Sequence, residues 1–169
     1  MPGMTAEEID EFLAEPGHLL RIGVVDEVGM PLVVPIWFMA RDGALWFTPR
    51  ERSAWLGHIR RNPQVCCTID ESRPPSRKLV VRGRAEIVHD PGEDDAWRGL
   101  YREITLRYTP PAWGDAYLLD TIQERRALLR VPLAGSEVQC WRMPSREGED
   151  PLAVWAPRYY RGGRGRAAR

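Results

Sequence analysis

At 169 residues, with 43% hydrophobic and 28% charged side chains, the chain has the make-up of one soluble globular domain and is too apolar to be disordered throughout. Its 24 basic and 24 acidic side chains cancel, which excludes a global field drawing it to nucleic acid or an anionic membrane. Arg158 to Arg169 hold five arginines and no acid, leaving 19 basic against 24 acidic side chains before them, so a mildly acidic body carries a basic tail.

Thr5 followed three residues later by Glu8 is a capping box, and Ile9, Phe12 and Leu13 recur at helical spacing until Pro16-Gly17 stops the segment. Two apolar runs follow, His18 to Val25 and Pro31 to Met39, separated by Asp26-Glu27-Val28-Gly29. A third, Ala44 to Thr48, comes after Arg41-Asp42-Gly43. Runs of this length, rich in β-branched and aromatic residues and joined by Gly-containing turns, predict an antiparallel meander. Ser53 then predicts the cap of a helix through Ala54, Trp55, Leu56 and Ile59, ended by Asn62-Pro63 because the residue before proline is pushed out of the α region. Gln64 to Ile69 reads as a buried strand, Glu71 to Ser76 as a loop, and Lys78 to His89 as one long strand with a bulge or bend at Gly83.

Pro91 to Arg107 predicts a helix with Trp97, Leu100, Tyr101 and Ile104 on one face. Thr109-Pro110-Pro111 breaks it, and a shorter helix is predicted from Trp113 to Gln123. Ala127 to Leu133 and Val138 to Met143 supply a last hairpin. The class is α+β, mainly β: six to seven antiparallel strands with three or four peripheral helices, in a domain spanning residues 1–145. From Ser145 on, Gly, Pro, Arg and charge predict an extended or partly disordered tail (146–169), in which only Leu152 to Trp155 look able to dock.

The order of these elements resembles the pyridoxamine 5′-phosphate oxidase-like family of flavin and deazaflavin split barrels. The resemblance rests on Val33-Val34-Pro35-Ile36-Trp37-Phe38, Leu45-Trp46-Phe47-Thr48, Arg52-Ser53-Ala54, Arg60-Arg61-Asn62-Pro63-Gln64-Val65 and Val81-Arg82-Gly83-Arg84-Ala85. These motifs span roughly residues 18 to 89, about half the chain, and Val138-Gln139-Cys140-Trp141 fits the family's last strand more loosely. The family implies an FMN-dependent oxidoreductase working as a homodimer, with the flavin in a groove between two barrels. It equally hosts 8-hydroxy-5-deazaflavin reductases and non-catalytic flavin-binding or haem-handling modules, because fold does not fix function.

A flavin phosphate needs a dianion site, and a helix start with Ser53 and Arg52 offers N–H groups, a hydroxyl and a guanidinium fork. The resemblance implies an isoalloxazine slot from Val34, Pro35, Ile36 and Trp37 on one strand and Phe47 and Thr48 on the next. Lys78, the only lysine of the chain, holds the place of a polar side chain that relatives turn toward the flavin. Two departures stand out. Many relatives carry a cation two residues after the helix-start serine, where this chain has Trp55, so Arg50, Arg52 or Lys78 must replace it or phosphate binding is weak. Trp37 stands where pyridoxamine phosphate oxidases hold substrate phosphate with a lysine, and their late arginine-rich motif is absent, which argues against that substrate.

Each of these residues also has a structural reading. Ser53 is equally a plain helix cap and Arg52 a solvated arginine, while Trp37, Trp46, Phe47 and Trp55 are by default core or interface aromatics. His18, His58 and His89 lack metal-ligand spacing, so no metal is expected, and no Ser/His/Asp order suggests a hydrolase. Cys66, Cys67 and Cys140 form an odd set without CxxC spacing. With no leader pattern and no apolar run near the roughly 18 residues that span a bilayer, they imply a reducing cytoplasm and no membrane. The Arg/Gly-rich end is read as a floppy terminus rather than a nucleic-acid site. The hydride chemistry would reside in the cofactor, so no catalytic acid or base is assigned. Substrate choice is expected from Pro91 to Arg107 and Thr109 to Trp113, which lie outside the shared motifs.

Overall fold

In a computed structural model describing residues 2–150, the capping box forms as the sequence predicts. Thr5 Oγ1 accepts the Glu8 N–H at 3.2 Å while the Glu8 carboxylate accepts the Thr5 N–H at 2.8 Å. The helix it starts, α1 (Ala6–Ala14), buries Phe12 and Leu13. After Pro16-Gly17 come β1 (Leu20–Val25), β2 (Pro31–Ile36), β3 (Met39–Arg41), β4 (Ala44–Phe47), α2 (Ala54–Arg61) and β5 (Gln64–Asp70). They are followed by β6 (Lys78–Arg84), β7 (Glu86–His89), α3 (Arg98–Leu106), α4 (Pro111–Asp120), β8 (Leu128–Pro132) and β9 (Glu137–Trp141).

The strands form two antiparallel sheets, ordered β2-β1-β5-β6-β9 and β3-β4-β8-β7. Period-2 alternation aims Leu20, Ile22 and Val24 of β1, Val65, Cys67 and Ile69 of β5, and Leu79 and Val81 of β6 at one core. Leu45, Phe47, Leu129 and Val131 meet them from the second sheet, Phe38 from the link between β2 and β3, and α1 and α2 add Phe12, Leu13, Leu56 and Ile59. Burying a side chain of this size stabilises by about 1.5–3 kcal/mol, so this core holds the two sheets together.

The fold is thus mainly β with α+β character. It has nine strands among the described residues because two predicted runs divide between the sheets. Pro31 to Met39 stops being β2 at Trp37 and resumes as β3 in the other sheet. The pivot, Phe38, is fully buried, and its N–H bonds the Tyr108 hydroxyl at 3.1 Å. Lys78 to His89 divides at Ala85, whose N–H leaves the ladder for the Pro63 carbonyl at 2.8 Å. The bend therefore falls at Ala85 and not at Gly83, which stays in register opposite Val65; the bulge lies between Ile87 and His89. An apolar pattern carries no mark for a change of sheet, since both sheets face the same core.

The helix predicted from Pro91 begins at Arg98, because Gly92, at φ +104°, leads into a turn and a short 3-10 segment, Asp94–Ala96. α4 spans Pro111–Asp120 rather than Trp113 to Gln123, with its proline at the start where a missing N–H does no harm. Gly114 is its one buried residue: a Cβ there would lie 2.5 Å from Thr109 Oγ1, so α4 sits close against the end of α3 and leaves Trp113 and Leu119 exposed. Of the predicted tail, residues 145–150 fold back, the Glu149 carboxylate accepting from Arg142, Ser145 and Arg146. Leu152 to Trp155 and the arginine-rich end lie outside the described residues.

Candidate functional site

The change of sheet after β2 leaves a groove. Pro35 and Ile36 close β2 on one side, Thr48, Pro49 and Arg50 leave β4 on the other, and Ser53 and Trp55 bring up the start of α2. Tyr101 of α3, Tyr117 of α4 and Arg126 complete a cavity of about 360 Å³. Trp37 lies flat on Tyr108, centroids 5.2 Å apart, and meets Tyr117 edge-on at 5.9 Å, so one wall is a run of aromatic rings. Trp113 extends it, stacked on Tyr117 at 5.4 Å.

Ser53 stands at the N-cap of α2, yet its side chain makes no capping hydrogen bond. The hydroxyl expected to serve the helix is therefore left for the groove. Arg50 connects this groove to a polar cavity of about 550 Å³ lined by Glu51, Arg52, Gln123, Glu124 and Arg125. Its guanidinium lies 2.7 Å from Glu124 and donates to the Tyr117 hydroxyl oxygen at 3.5 Å.

Arg126 forms the floor. It is 7% exposed, lies 4.7 Å over the Tyr101 ring, and donates to the Thr48 carbonyl at 3.2 Å and to the Tyr117 oxygen at 3.1 Å. Burial pushes the Tyr101 phenol above its ordinary range. Tyr117 moves the other way: burial raises it, but the Tyr101 hydroxyl and the guanidiniums of Arg50 and Arg126 outweigh that and lower it. The groove thus combines apolar walls with a phenol oxygen held by two cations, which suits a flat conjugated ring with polar atoms on its rim.

Five of the nine residues expected at the site line this groove: Pro35, Ile36, Trp37, Thr48 and Ser53. Arg52 lines the adjoining polar cavity. Val34 packs against the core on the same face as Ile22, and Phe47 is fully buried. Lys78 opens β6, opposite Asp70, and faces outward because its neighbour Leu79 faces in; it lines no part of the groove of its own chain. Tyr101, Tyr117 and Arg126 were not singled out as site residues. Tyr101 lies within Pro91 to Arg107, one of the two segments expected to set substrate choice, whereas Tyr117 and Arg126 lie outside both.

The Glu15, His18 and Glu71 ligand atoms lie within 4.8 Å of one another, but Arg77 donates to both carboxylates and fills the place a cation would take. No helix among the described residues is long and apolar enough to cross a membrane.

Residues 5–131, well over half the chain, match the sequence profile of the pyridoxamine 5′-phosphate oxidase family. The chain belongs to this family. Solved structures of the same fold include a conserved hypothetical protein of Mycobacterium tuberculosis, 21% identical, with a TM-score of 0.66 over 82% of this chain and 85% of that one. An F420 reductase is 25% identical, with a TM-score of 0.54 over 73% of this chain and 90% of its own. HutZ, the haem storage protein of Vibrio cholerae, is 20% identical, with a TM-score of 0.59 over 79% and 94% of the two chains. Among curated proteins, none matches this chain.

Proposed function

We propose that this family member is a cytoplasmic, homodimeric FMN-dependent oxidoreductase that moves a hydride to or from a small conjugated substrate. The observation carrying this reading is the start of α2, where the Ser53 hydroxyl makes no capping bond and stands beside Arg50 and Arg52. A helix start of this kind fits a phosphate dianion. The wall from Pro35 to Trp37 and the turn at Thr48 fit the flat ring, and Val34 and Phe47 would support that wall from the core side. When bound, the flavin would supply hydride transfer; the groove residues Pro35 to Trp37 and Thr48 would orient it, and the Tyr117 oxygen would offer a proton site.

The outer face of the five-stranded sheet supports a homodimer, since Val33 is 60% exposed there and Met30, at the adjoining turn, 63%. Lys78 lies on that same face, where a partner's groove could receive it. Pyridoxamine phosphate is an unsuitable substrate, because Trp37 is stacked on Tyr108 and offers no cation for a second phosphate.

The arginine-lined cavity beside the groove favours one second reading, a deazaflavin with a longer anionic tail than a single phosphate. Titration of the purified protein with FMN, riboflavin and deazaflavin separates these. FMN should bind with flavin absorbance bands, and Arg52→Ala should weaken FMN by about 1.5–3 kcal/mol, roughly ten- to a hundredfold, while leaving riboflavin unchanged. If Arg52→Ala, Arg50→Ala and Lys78→Ala all leave FMN affinity intact, the phosphate site is wrong. A monomer in sedimentation with flavin bound would rule out the homodimer.

A further inference from the structure

Behind the wall made by Tyr101 and Arg126 lies a separate cavity of about 410 Å³, between α3, α4 and the turn before β8. Its apolar surface comes from Trp97, Leu118, Leu119 and Ile122. Its charged lining is almost wholly paired. Arg102 donates to both oxygens of Asp115 at 2.6 and 3.0 Å, Arg98 to Asp95 at 2.6 Å, and Glu124 lies 2.7 Å from Arg50. The two Asp94 oxygens accept the backbone N–H groups of Arg126 at 2.8 Å and Gly92 at 2.9 Å.

Arg126 is different. Its side chain donates only to a carbonyl and a phenol oxygen, and among the described residues no carboxylate forms an ion pair with it. Its Nε and the indole Nε1 of Trp97 are both buried without a hydrogen-bond partner. A buried cation without a counter-ion opposes folding, and an anionic oxygen placed at the guanidinium offsets that cost. A cavity of this size, mostly apolar with a few convergent polar groups, has the make-up of a small-molecule site.

We infer that this cavity binds a small apolar carboxylate, its hydrocarbon part among Trp97, Leu118, Leu119 and Ile122 and its carboxylate turned to Arg126. The inference does not depend on a flavin in the groove. Because Arg126 and Tyr101 wall both spaces, an occupant here also braces the floor of the groove.

The probe is 4-phenylbutyrate, compared with its neutral amide, titrated into the full chain while the tryptophan indole N–H resonances are followed by NMR; Trp97→Phe assigns the signal. The Trp97 resonance should shift saturably with the acid, with an affinity about tenfold or more above that for the amide. Leu119→Trp, which fills the cavity from its rim, should abolish the shift at unchanged melting temperature, and Arg126→Gln should erase the preference for acid over amide. Equal binding of acid and amide, no saturable shift, or a shift undiminished in Leu119→Trp would overturn the inference. Phenylbutyrate binding to a chain that takes no flavin would still support it, and would separate it from the proposed oxidoreductase activity.

Discussion

Tyr108 fixes Trp37 in place: the two rings are 5.2 Å apart and inclined by only 4°, and the Tyr108 hydroxyl donates to the His18 carbonyl at 2.7 Å while accepting the Phe38 N–H at 3.1 Å. One phenol past the end of α3 thus ties down the point at which the chain changes sheets. Tyr108→Phe keeps the stack but strips the Phe38 N–H of its acceptor, and is expected to destabilise by about 1–3 kcal/mol in urea denaturation. It should also loosen Trp37, seen as a reduced near-UV circular dichroism signal. A variant as stable as wild type would mean that the hydroxyl locks nothing.

Ser53 offers a cleaner dissection than most helix-start serines. Replacing a bonded cap with Ala typically costs about 1 kcal/mol. Here the side chain makes no such bond, so Ser53→Ala should leave the melting temperature within a degree or two, which is about the shift that a few tenths of a kcal/mol produce. FMN affinity should still fall, by about five- to tenfold, for the loss of one hydrogen bond to a charged phosphate. A matching fall in riboflavin affinity would place the hydroxyl away from the phosphate.

Arg77 joins the end of α1 to the β5–β6 turn, donating to Glu15 at 2.8 and 2.7 Å and to Glu71 at 2.9 and 2.7 Å. These hydrogen bonds hold both carboxyls below their ordinary value of 4.5. Carboxyls depressed in the folded state contribute stability that is fully present above the unfolded value and is lost as pH falls through the folded one. Arg77→Met should therefore be less stable than wild type near neutral pH, by about 1–2 kcal/mol after allowing for the exposure of Glu15. Below 4.5 the gap should close as both carboxyls protonate. A gap that stays constant in denaturant titrations down to about pH 3 would show that packing on Phe12, and not charge, is what Arg77 provides.

Gly83 is set by close approach. A Cβ at this position would come within 2.1 Å of Ser136 Oγ and 3.2 Å of Val131, and Ser136 is itself tied to the Pro132 carbonyl at 2.6 Å. Gly83→Ala is expected to destabilise by about 1–3 kcal/mol. Adding Ser136→Gly should recover most of the loss in a double-mutant cycle. Additive penalties would locate the strain in the β6 backbone instead.

Much of the fold was legible because local chemistry and periodicity agreed. Thr5 and Glu8 marked α1, and the apolar run Gln64 to Ile69 marked β5, in which Cys67 is the buried cysteine, its thiol pushed up by burial to about 12. The two sheet changes were not legible, because Phe38 and Ala85 are apolar residues in apolar runs and only long-range partners, Tyr108 and Pro63, decide where the ladder breaks. The groove was half legible. Pro35 to Trp37, Thr48 and Ser53 come from one continuous stretch with a family pattern, whereas Tyr101, Tyr117 and Arg126 converge from three elements that share no spacing. Arg126 was the hardest to see, since the second of two adjacent arginines before a strand looks like any solvated cation until burial shows otherwise.

The prolines of β2 have an effect beyond shaping the groove. Pro31 and Pro35 pair with Val25 and Arg21 at the free margin of the five-stranded sheet, at positions whose main-chain nitrogens would otherwise point away from β1. An incoming strand would find two of the three outward positions without a donor. At the opposite margin the chain's own start does a similar job: Pro2 accepts the Arg142 N–H at 3.1 Å, and the Met4 N–H donates to Cys140 Sγ at 3.4 Å alongside β9. Both margins are thus shielded from the strand-by-strand growth that turns exposed sheets into fibrils, so the exposed Val33 on the outer face can remain open to a partner without inviting aggregation.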